Sequence, residues 1–230
     1  MSPRVPTAAV VPVGLLALAA VPLTAGALRL VEVAGGPAVL PPDARFSGFP
    51  AALVLHITGS AVFVLVGMLQ LVPRFRRRHL TWHRRAGRVV ALAGLVTAVS
   101  ALWLTVGYAP RAGSGEVLRT LRLVFGSAMV LCIVLGVAAV RRRDIAAHRA
   151  WMVRGYAIGL AAGTQAFTEP LGVALFGDGV VVSDFAKGLG WVVNLAVAEW
   201  VLRRRPARES IGRASRRVSV VVRPVANGAR

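Results

Sequence analysis

The sequence is poor in cysteine, lysine and acidic residues. Cys132 is the only cysteine, which excludes a disulfide framework and a metal site built on cysteines. Lys187 is the only lysine, and 28 basic residues against 9 acidic ones give a formal net charge of +19. A soluble basic protein would scatter this charge, whereas here it is confined to short arginine blocks. Basic loops beside membrane spans are explained by topology and anionic lipid, so we expect anionic lipid headgroups as partners and no nucleic acid.

Apolar residues are abundant: 56% of the chain is hydrophobic, and the mean hydropathy is +0.67. A helix of about 20 residues crosses an apolar core about 30 Å thick. Six runs of this kind predict an all-α fold, a polytopic integral membrane helical bundle, with spans at Ala8–Leu30, Phe49–Val72, Val89–Tyr108, Leu123–Val140, Gly155–Phe176 and Phe185–Leu202. The first run is open to a second interpretation as a signal peptide, because Arg4 precedes it and Ala25-Gly26-Ala27 resembles a cleavage site.

The distribution of arginine and lysine predicts the orientation. Both chain ends and the turns at 74–88 and 141–154 hold 22 of these residues, and the alternate side holds 6. By the positive-inside rule, both ends and both turns are cytoplasmic in a protein of the cell membrane. We therefore predict one transmembrane domain over residues 1–202 and a basic, disordered cytoplasmic tail over 203–230.

A tandem repeat organises the chain around its basic turns. RRRHLTWHR at 76–84 aligns with RRRDIAAHR at 141–149 with an offset of 65, and each copy ends in His-Arg. Gly-Ser-Ala occurs upstream of both, at 59–61 and 126–128, with an offset of 67. This pattern predicts two copies of a two-helix unit, at about 50–108 and 119–176, with a slip of two residues between them.

Polar residues inside the spans predict an intramembrane site. Span two presents His56, Gly59, Ser60, Phe63, Gly67 and Gln70 on one helical face, and a face of small and polar residues packs against protein. Gly155, Gly159 and Gly163 predict a close-packing seam in span five. Glu169 lies at the depth of His56, about 10 Å from the same membrane face, so the two are predicted to pair, with Gln165 one turn further in. The alternatives are a neutral hydrogen-bonded acid or one reached by water. Glu199 is predicted to pair with Arg203, four residues on, and Lys187 to snorkel.

The histidines of the basic turns have two interpretations. They are interfacial caps among arginines, or His83 and His148 are axial ligands of a b-type haem whose propionates the arginines hold. His56 has no histidine partner at its depth, which excludes a second haem, and we expect no metal ion because the turns offer few carboxylates. The candidate residues of this cytoplasmic interface motif are Arg74, His83, Arg84, Arg88, His148, Arg149, Trp151 and Arg154.

These residues resemble a bacterial family of predicted multipass membrane proteins, domain of unknown function twenty-three-oh-six. The resemblance covers roughly residues 50–175, and its most specific part is the run His148-Arg149-x-Trp151-Met152-x-Arg154. It implies membrane location and no particular activity. The family commonly has a basic residue where Gln165 stands here. The architecture is also loosely similar to b-type cytochromes of the cytochrome b561 kind.

Two functions follow from these patterns. The first is a non-enzymatic bundle, either a small transporter or a lipid- or partner-binding protein, because parallel repeats are a known transporter construction and Glu169 is an intramembrane acid. Six helices are few for a transporter, so this hypothesis includes a homodimer. The second is a haem-binding electron carrier or quinone-linked reductase that uses His83 and His148. We identify no catalytic residues.

Overall fold

The computed structural model describes residues 7–46, 49–111 and 113–204. The described residues form helices and no strands, which confirms the all-α prediction. The helices are α1 (Thr7–Val33), α2 (Ala51–Gln70), α3 (Pro73–Arg78), α4 (Leu80–Gly107), α5 (Glu116–Arg141), α6 (Ile145–Gly159), α7 (Ala161–Phe176) and α8 (Val180–Arg203). Arg4 and the predicted tail beyond Arg204 lie outside the described residues.

Five of these helices are long and apolar enough to cross a membrane: α1, α2, α4, α5 and α8. Large apolar side chains cover their outer faces, including Val13 at 64% exposure and Leu92 at 65%. In water such a surface would drive aggregation, whereas in a bilayer it contacts lipid. The structure is therefore a multi-spanning helical bundle.

The fifth predicted span, Gly155–Phe176, is not one helix. Helix α6 begins ten residues earlier, at Ile145, and a single turn residue, Leu160, separates it from α7. Gly163 N–H donates to Leu160 O, so the backbone hydrogen bond at this point joins residues three apart instead of four apart, as in a 3₁₀ turn. The sequence prediction was wrong on this point because glycines lie on both sides of the break and α6 packs mainly on α5, whereas α7 packs mainly on α8. Each is shorter than a full span.

The long helices alternate in direction, with α6 and α7 following each other from one end to the other, so the loops collect at two ends of the bundle. The arginine-rich end holds α3, the turn at 142–144 and the C-terminus of α8. The opposite end holds loops 34–50, 108–115 and 177–179, where the Phe46 and Tyr108 rings meet edge to face at 5.0 Å. In the sequence, α2 with α4 and α5 with α6 correspond to the two copies of the repeat.

Aromatic rings packed on glycines form the core. Phe63 is 1% exposed, and a Cβ on Gly94 would lie 2.6 Å from a carbon of its ring. Tyr156 covers Gly67 in the same way, and its hydroxyl donates to Val64 O at 2.9 Å. Small residues in membrane helices permit such close approach. The predicted packing face of α2 is therefore confirmed.

The glycine seam of span five is also confirmed, and it serves three helices in turn. Gly155 faces Cys132 of α5, Gly159 faces Phe63 of α2, and Gly163 contacts the backbone of Leu18 in α1. One row of glycines thus fixes α6 and α7 against the rest of the bundle.

Candidate functional site

A polar cavity of about 390 Å³ opens at the end of the bundle opposite to the arginine-rich end. Its walls are the loop after α4, the second turn of α5, the end of α7 and the start of α8. The lining side chains are mainly charged or polar and include Arg111, Ser114, Arg122, Glu169, Asp178, Ser183 and Lys187. Charged groups of both signs therefore converge between α5, α7 and α8.

Glu169 is paired with Lys187 of α8. Lys187 Nζ lies 2.6 Å from Glu169 Oε1, and the Ser183 hydroxyl donates to the same oxygen at 2.7 Å while accepting from Lys187 Nζ at 2.7 Å. A short turn joins α7 and α8, so residues at equal distance from it face each other. The three groups form a closed hydrogen-bonded set on one wall of the cavity.

His56 has other partners, so the predicted pairing with Glu169 is wrong. Its Nδ1 lies 3.1 Å from Thr97 O and 3.4 Å from Ser100 Oγ, both on α4. A carbonyl only accepts, so Nδ1 carries a proton and donates it to Thr97 O. Equal depth did not bring the two residues together because α2 presents His56 to α4.

Asp184 holds the start of α5 in place. Its side chain is 1% exposed, and its oxygens accept from Gly115 N–H at 3.1 Å and from Leu118 N–H at 3.0 Å. These N–H groups belong to the N-terminus of α5, where orphan donors and the helix dipole favour a negative charge. The charge of Asp184 is therefore used within the fold.

Arg122 and Arg111 are the cavity cations that have no hydrogen bond or ion pair to another described side chain. Arg122 is half-buried in the second turn of α5, and its charge acts on His56. Arg111 lies on the rim, where its charge acts on Asp43 and Glu169. An arginine inside a membrane helix is costly unless a partner or water meets it. The cavity supplies the space for such a partner.

Loop 34–50, between α1 and α2, contains a separate ion pair. Arg45 Nη2 lies 2.6 Å from Asp43 Oδ2. This hydrogen-bonded guanidinium lowers the pKa of Asp43 below its usual range, against the opposing effect of burial. Asp43 is therefore charged and committed to Arg45.

Gln165 joins α7 to α8 below the cavity. Its Nε2 donates to Lys187 O at 3.0 Å. Thr164 donates to Asn194 at 2.7 Å, and Asn194 in turn donates to Ala157 O at 3.1 Å. Polar side chains thus tie the α7–α8 hairpin together, which makes Gln165 a structural contact between helices.

His83 and His148 both lie at the arginine-rich end, in the first turns of α4 and α6. His148 Nδ1 donates to Gly136 O at 2.8 Å, which fixes its tautomer. The structure gives no partner among the described residues to the buried His83 Nδ1 or to the buried amide atoms of Gln70, whose Oε1 lies beside Gly87.

The remaining residues of the predicted interface motif are dispersed along this end. Arg154 makes two contacts with Glu199, at 2.5 and 3.1 Å, and stacks over the Trp151 ring at 5.1 Å. The predicted Glu199–Arg203 pair is therefore wrong, because α6 presents a better-aligned guanidinium to Glu199. Exposed residues of the motif are Arg74, Arg84 and Arg88, and Arg149 is half-buried.

Residues 53–202 match the family described as Predicted membrane protein (DUF2306), and this stretch is well over half of the chain. The chain belongs to the DUF2306 family. The DUF2306 region begins inside α2 and ends inside α8, so it contains the cavity and all four histidines and leaves out α1. No curated protein and no solved structure matches the chain.

Several residues in or beside the cavity were not predicted from the sequence. Lys187 was assigned to snorkelling, and Arg122, Ser183 and Asp184 were given no role. One signal was available: Glu169 and Lys187 stand nine positions before and nine after Asp178, the centre of a Gly-Asp-Gly turn. In a helical hairpin, such symmetric positions lie opposite each other.

Proposed function

We propose that this protein is a non-enzymatic, transporter-like membrane bundle that binds a small anion in the cavity between α5, α7 and α8. The half-buried Arg122 carries the proposal, because it faces the cavity with no ion pair to another described residue. A guanidinium presents a planar fork of donors that fits a carboxylate or a phosphate.

The charges of the lining support an anionic ligand. Glu169 neutralises Lys187, and the N-terminus of α5 takes up the charge of Asp184. Arg111, Arg122 and the exposed Asp178 are the lining charges that form no ion pair among the described residues. The cavity therefore offers an excess of positive charge to a ligand.

Size and position support a small ligand that enters from one side. A volume of about 390 Å³ lies at the lower end of the range for small-molecule pockets, which runs from about 300 to 1,000 Å³. The arginine distribution supports an orientation with both termini in the cytoplasm and the cavity opening on the outer side of the cell membrane.

Thermal unfolding of the detergent-purified protein tests the proposal. The probes are sodium phosphate and sodium succinate, compared with sodium chloride at equal ionic strength. A ligand at about 100 times its Kd adds about 2.7 kcal/mol to the free energy of unfolding, so a bound probe raises Tm. We expect Arg122→Gln to abolish this rise. The matched control is Arg119→Gln, one turn earlier on α5, where Arg119 is exposed and contacts Glu116 at 3.5 Å.

A rise in Tm that is equal in both variants, or absent from the wild type with every probe, would contradict the proposal. For the transporter role, the stabilising anion is used in labelled form with protein reconstituted into vesicles. Uptake that depends on Arg122 is expected. If the protein binds the anion but vesicles do not take it up, the protein is an anion-binding protein and the transporter role is excluded.

A second candidate function is haem binding by His83 and His148. Their equivalent positions in the first turns of α4 and α6 favour it, and the hydrogen bond from His148 Nδ1 to Gly136 O leaves Nε2 as the nitrogen that can face a ligand. A reducible Soret band in the purified protein, lost in His83→Leu and kept in the control His79→Leu, would support it. A colourless protein purified from haem-supplemented cells would exclude it.

A further inference from the structure

Helix α3 presents three arginines on one face. Arg74, Arg77 and Arg78 have the i, i+3, i+4 spacing of a shared helical face, and all three are exposed. With Pro73, they line an open groove of about 530 Å³. The groove therefore offers three guanidinium groups to one ligand.

The other side of α3 is aromatic. The Phe75 ring lies 4.8 Å from the His79 ring and 4.9 Å from the Trp82 ring, centroid to centroid. Aromatic rings with polar edges are enriched where the apolar core of a bilayer meets the headgroups. Because α3 lies between the ends of two spanning helices, α2 and α4, this cluster places the three arginines at headgroup level.

No acidic residue is available near α3 in the sequence to neutralise these arginines. No Asp or Glu occurs between Asp43 and Glu116. Within the described residues, Arg74, Arg77 and Arg78 form no ion pair. The groove therefore has a concentrated positive charge.

The second copy of the repeat lacks this construction. There α5 continues to Arg141, Arg143 adopts a left-handed conformation with φ 62°, and Asp144 follows at once and caps α6 by accepting from Ala147 N–H. A triple arginine is present in both turns, but among the described residues only the first turn forms a separate helix. The arginines at 141–143 therefore serve as a control for the arginines of α3.

We propose that the α3 groove binds the phosphate of an anionic lipid headgroup through Arg74, Arg77 and Arg78. Arginine recognises phosphate through paired N–H donors, and three of them on one face fit a phosphodiester better than isolated surface charges do. A lipid fits better than a soluble phosphate because the groove adjoins two spanning helices and an aromatic interface cluster. The proposal is independent of the cavity.

Lipid retention tests the assignment. The full chain is reconstituted in nanodiscs of phosphatidylcholine and phosphatidylglycerol, extracted with mild detergent, and its retained lipids are quantified by mass spectrometry. We expect several-fold enrichment of phosphatidylglycerol over the nanodisc composition. The triple change Arg74→Gln, Arg77→Gln, Arg78→Gln should remove the enrichment, and the triple change Arg141→Gln, Arg142→Gln, Arg143→Gln should retain it.

Equal enrichment in both triple variants would overturn the proposal. Stabilisation of delipidated protein by inorganic phosphate that depends on these three arginines, without phosphatidylglycerol enrichment, would overturn it in favour of a soluble phosphate. If the glutamine variant does not fold, the corresponding lysine variant decides. It preserves the charge but lacks the paired N–H donors of arginine, so its phosphatidylglycerol enrichment should fall below that of the wild type, and enrichment equal to the wild type would overturn the proposal.

Discussion

Lys187 meets Glu169 across the α7–α8 hairpin, with 2.6 Å between Nζ and Oε1. The carboxylate is 39% exposed and the ammonium 19%, so the pair borders the cavity instead of lying in a dry core. Because Ser183 bonds to both groups, the removal of either charge leaves two polar side chains to find new partners.

Double-mutant cycles should show coupling between Glu169 and Lys187 and no coupling between His56 and Glu169. We expect Glu169→Gln and Lys187→Gln to be non-additive, with a coupling of about 0.5–1 kcal/mol, reduced by solvent at this exposure. His56→Leu combined with Glu169→Gln should be additive. Reversible unfolding of the wild type, the three single variants and the two double variants measures both couplings. Strong coupling of His56 to Glu169 would contradict the structure.

The Arg154–Glu199 contact should couple α6 to α8. Because two N–H···O contacts form, we expect Arg154→Gln and Glu199→Gln to show a coupling of about 1 kcal/mol. Arg203→Gln is the control, and it should cost little and show no coupling to Glu199. If Arg203 couples to Glu199 more strongly than Arg154 does, the helical i, i+4 pair exists instead.

Glycine-to-alanine changes should destabilise the protein only where the glycine is tightly packed. Gly94→Ala places a methyl group 2.6 Å from the Phe63 ring and 2.7 Å from Ile133 Cδ1. Overpacking of this kind costs about 1–3 kcal/mol. Gly14→Ala, where nothing lies within 4 Å, should be neutral or slightly stabilising. Tm values of the two variants provide the comparison, and equal Tm values would show that the α2–α4 contact is loose.

Topology reporters test the proposed orientation. Fusions after Arg78, Arg143 and Arg230 should report the cytoplasm, and fusions near Asp43 and Gly113 should report the outer side. The described helices place the first two sites at the arginine-rich end. An outer signal at Arg78 would invert the bundle and place the cavity mouth in the cytoplasm.

Hydrophobic run length and arginine spacing predicted the helices well, because bilayer thickness fixes the length of a span. The two-residue slip in the repeat also has a structural origin. Helix α2 ends at Gln70, and Pro73 begins the separate helix α3, because proline is disfavoured inside a helix and favoured in its first turn. In the second copy, α5 runs unbroken to Arg141. The first copy therefore contains the two additional residues.

Partner choice could not be predicted in the same way. Depth follows from counting residues, but the rotation of each helix follows from packing, and packing turned His56 toward Thr97 and Arg154 toward Glu199. The break at Leu160 was invisible for a similar reason, since glycines are common in unbroken membrane helices and only contacts with α1, α2 and α5 decide where the chain bends.

Calorimetric titration of the stabilising anion into detergent-purified protein tests the central claim most directly. The account predicts saturable binding at one site in the wild type and in Arg119→Gln, with at least a tenfold weaker Kd in Arg122→Gln, since about 1.4 kcal/mol corresponds to a factor of ten and a lost charged hydrogen bond is worth about 1.5–3 kcal/mol. An unchanged Kd in Arg122→Gln would contradict the assignment of the cavity as an anion site.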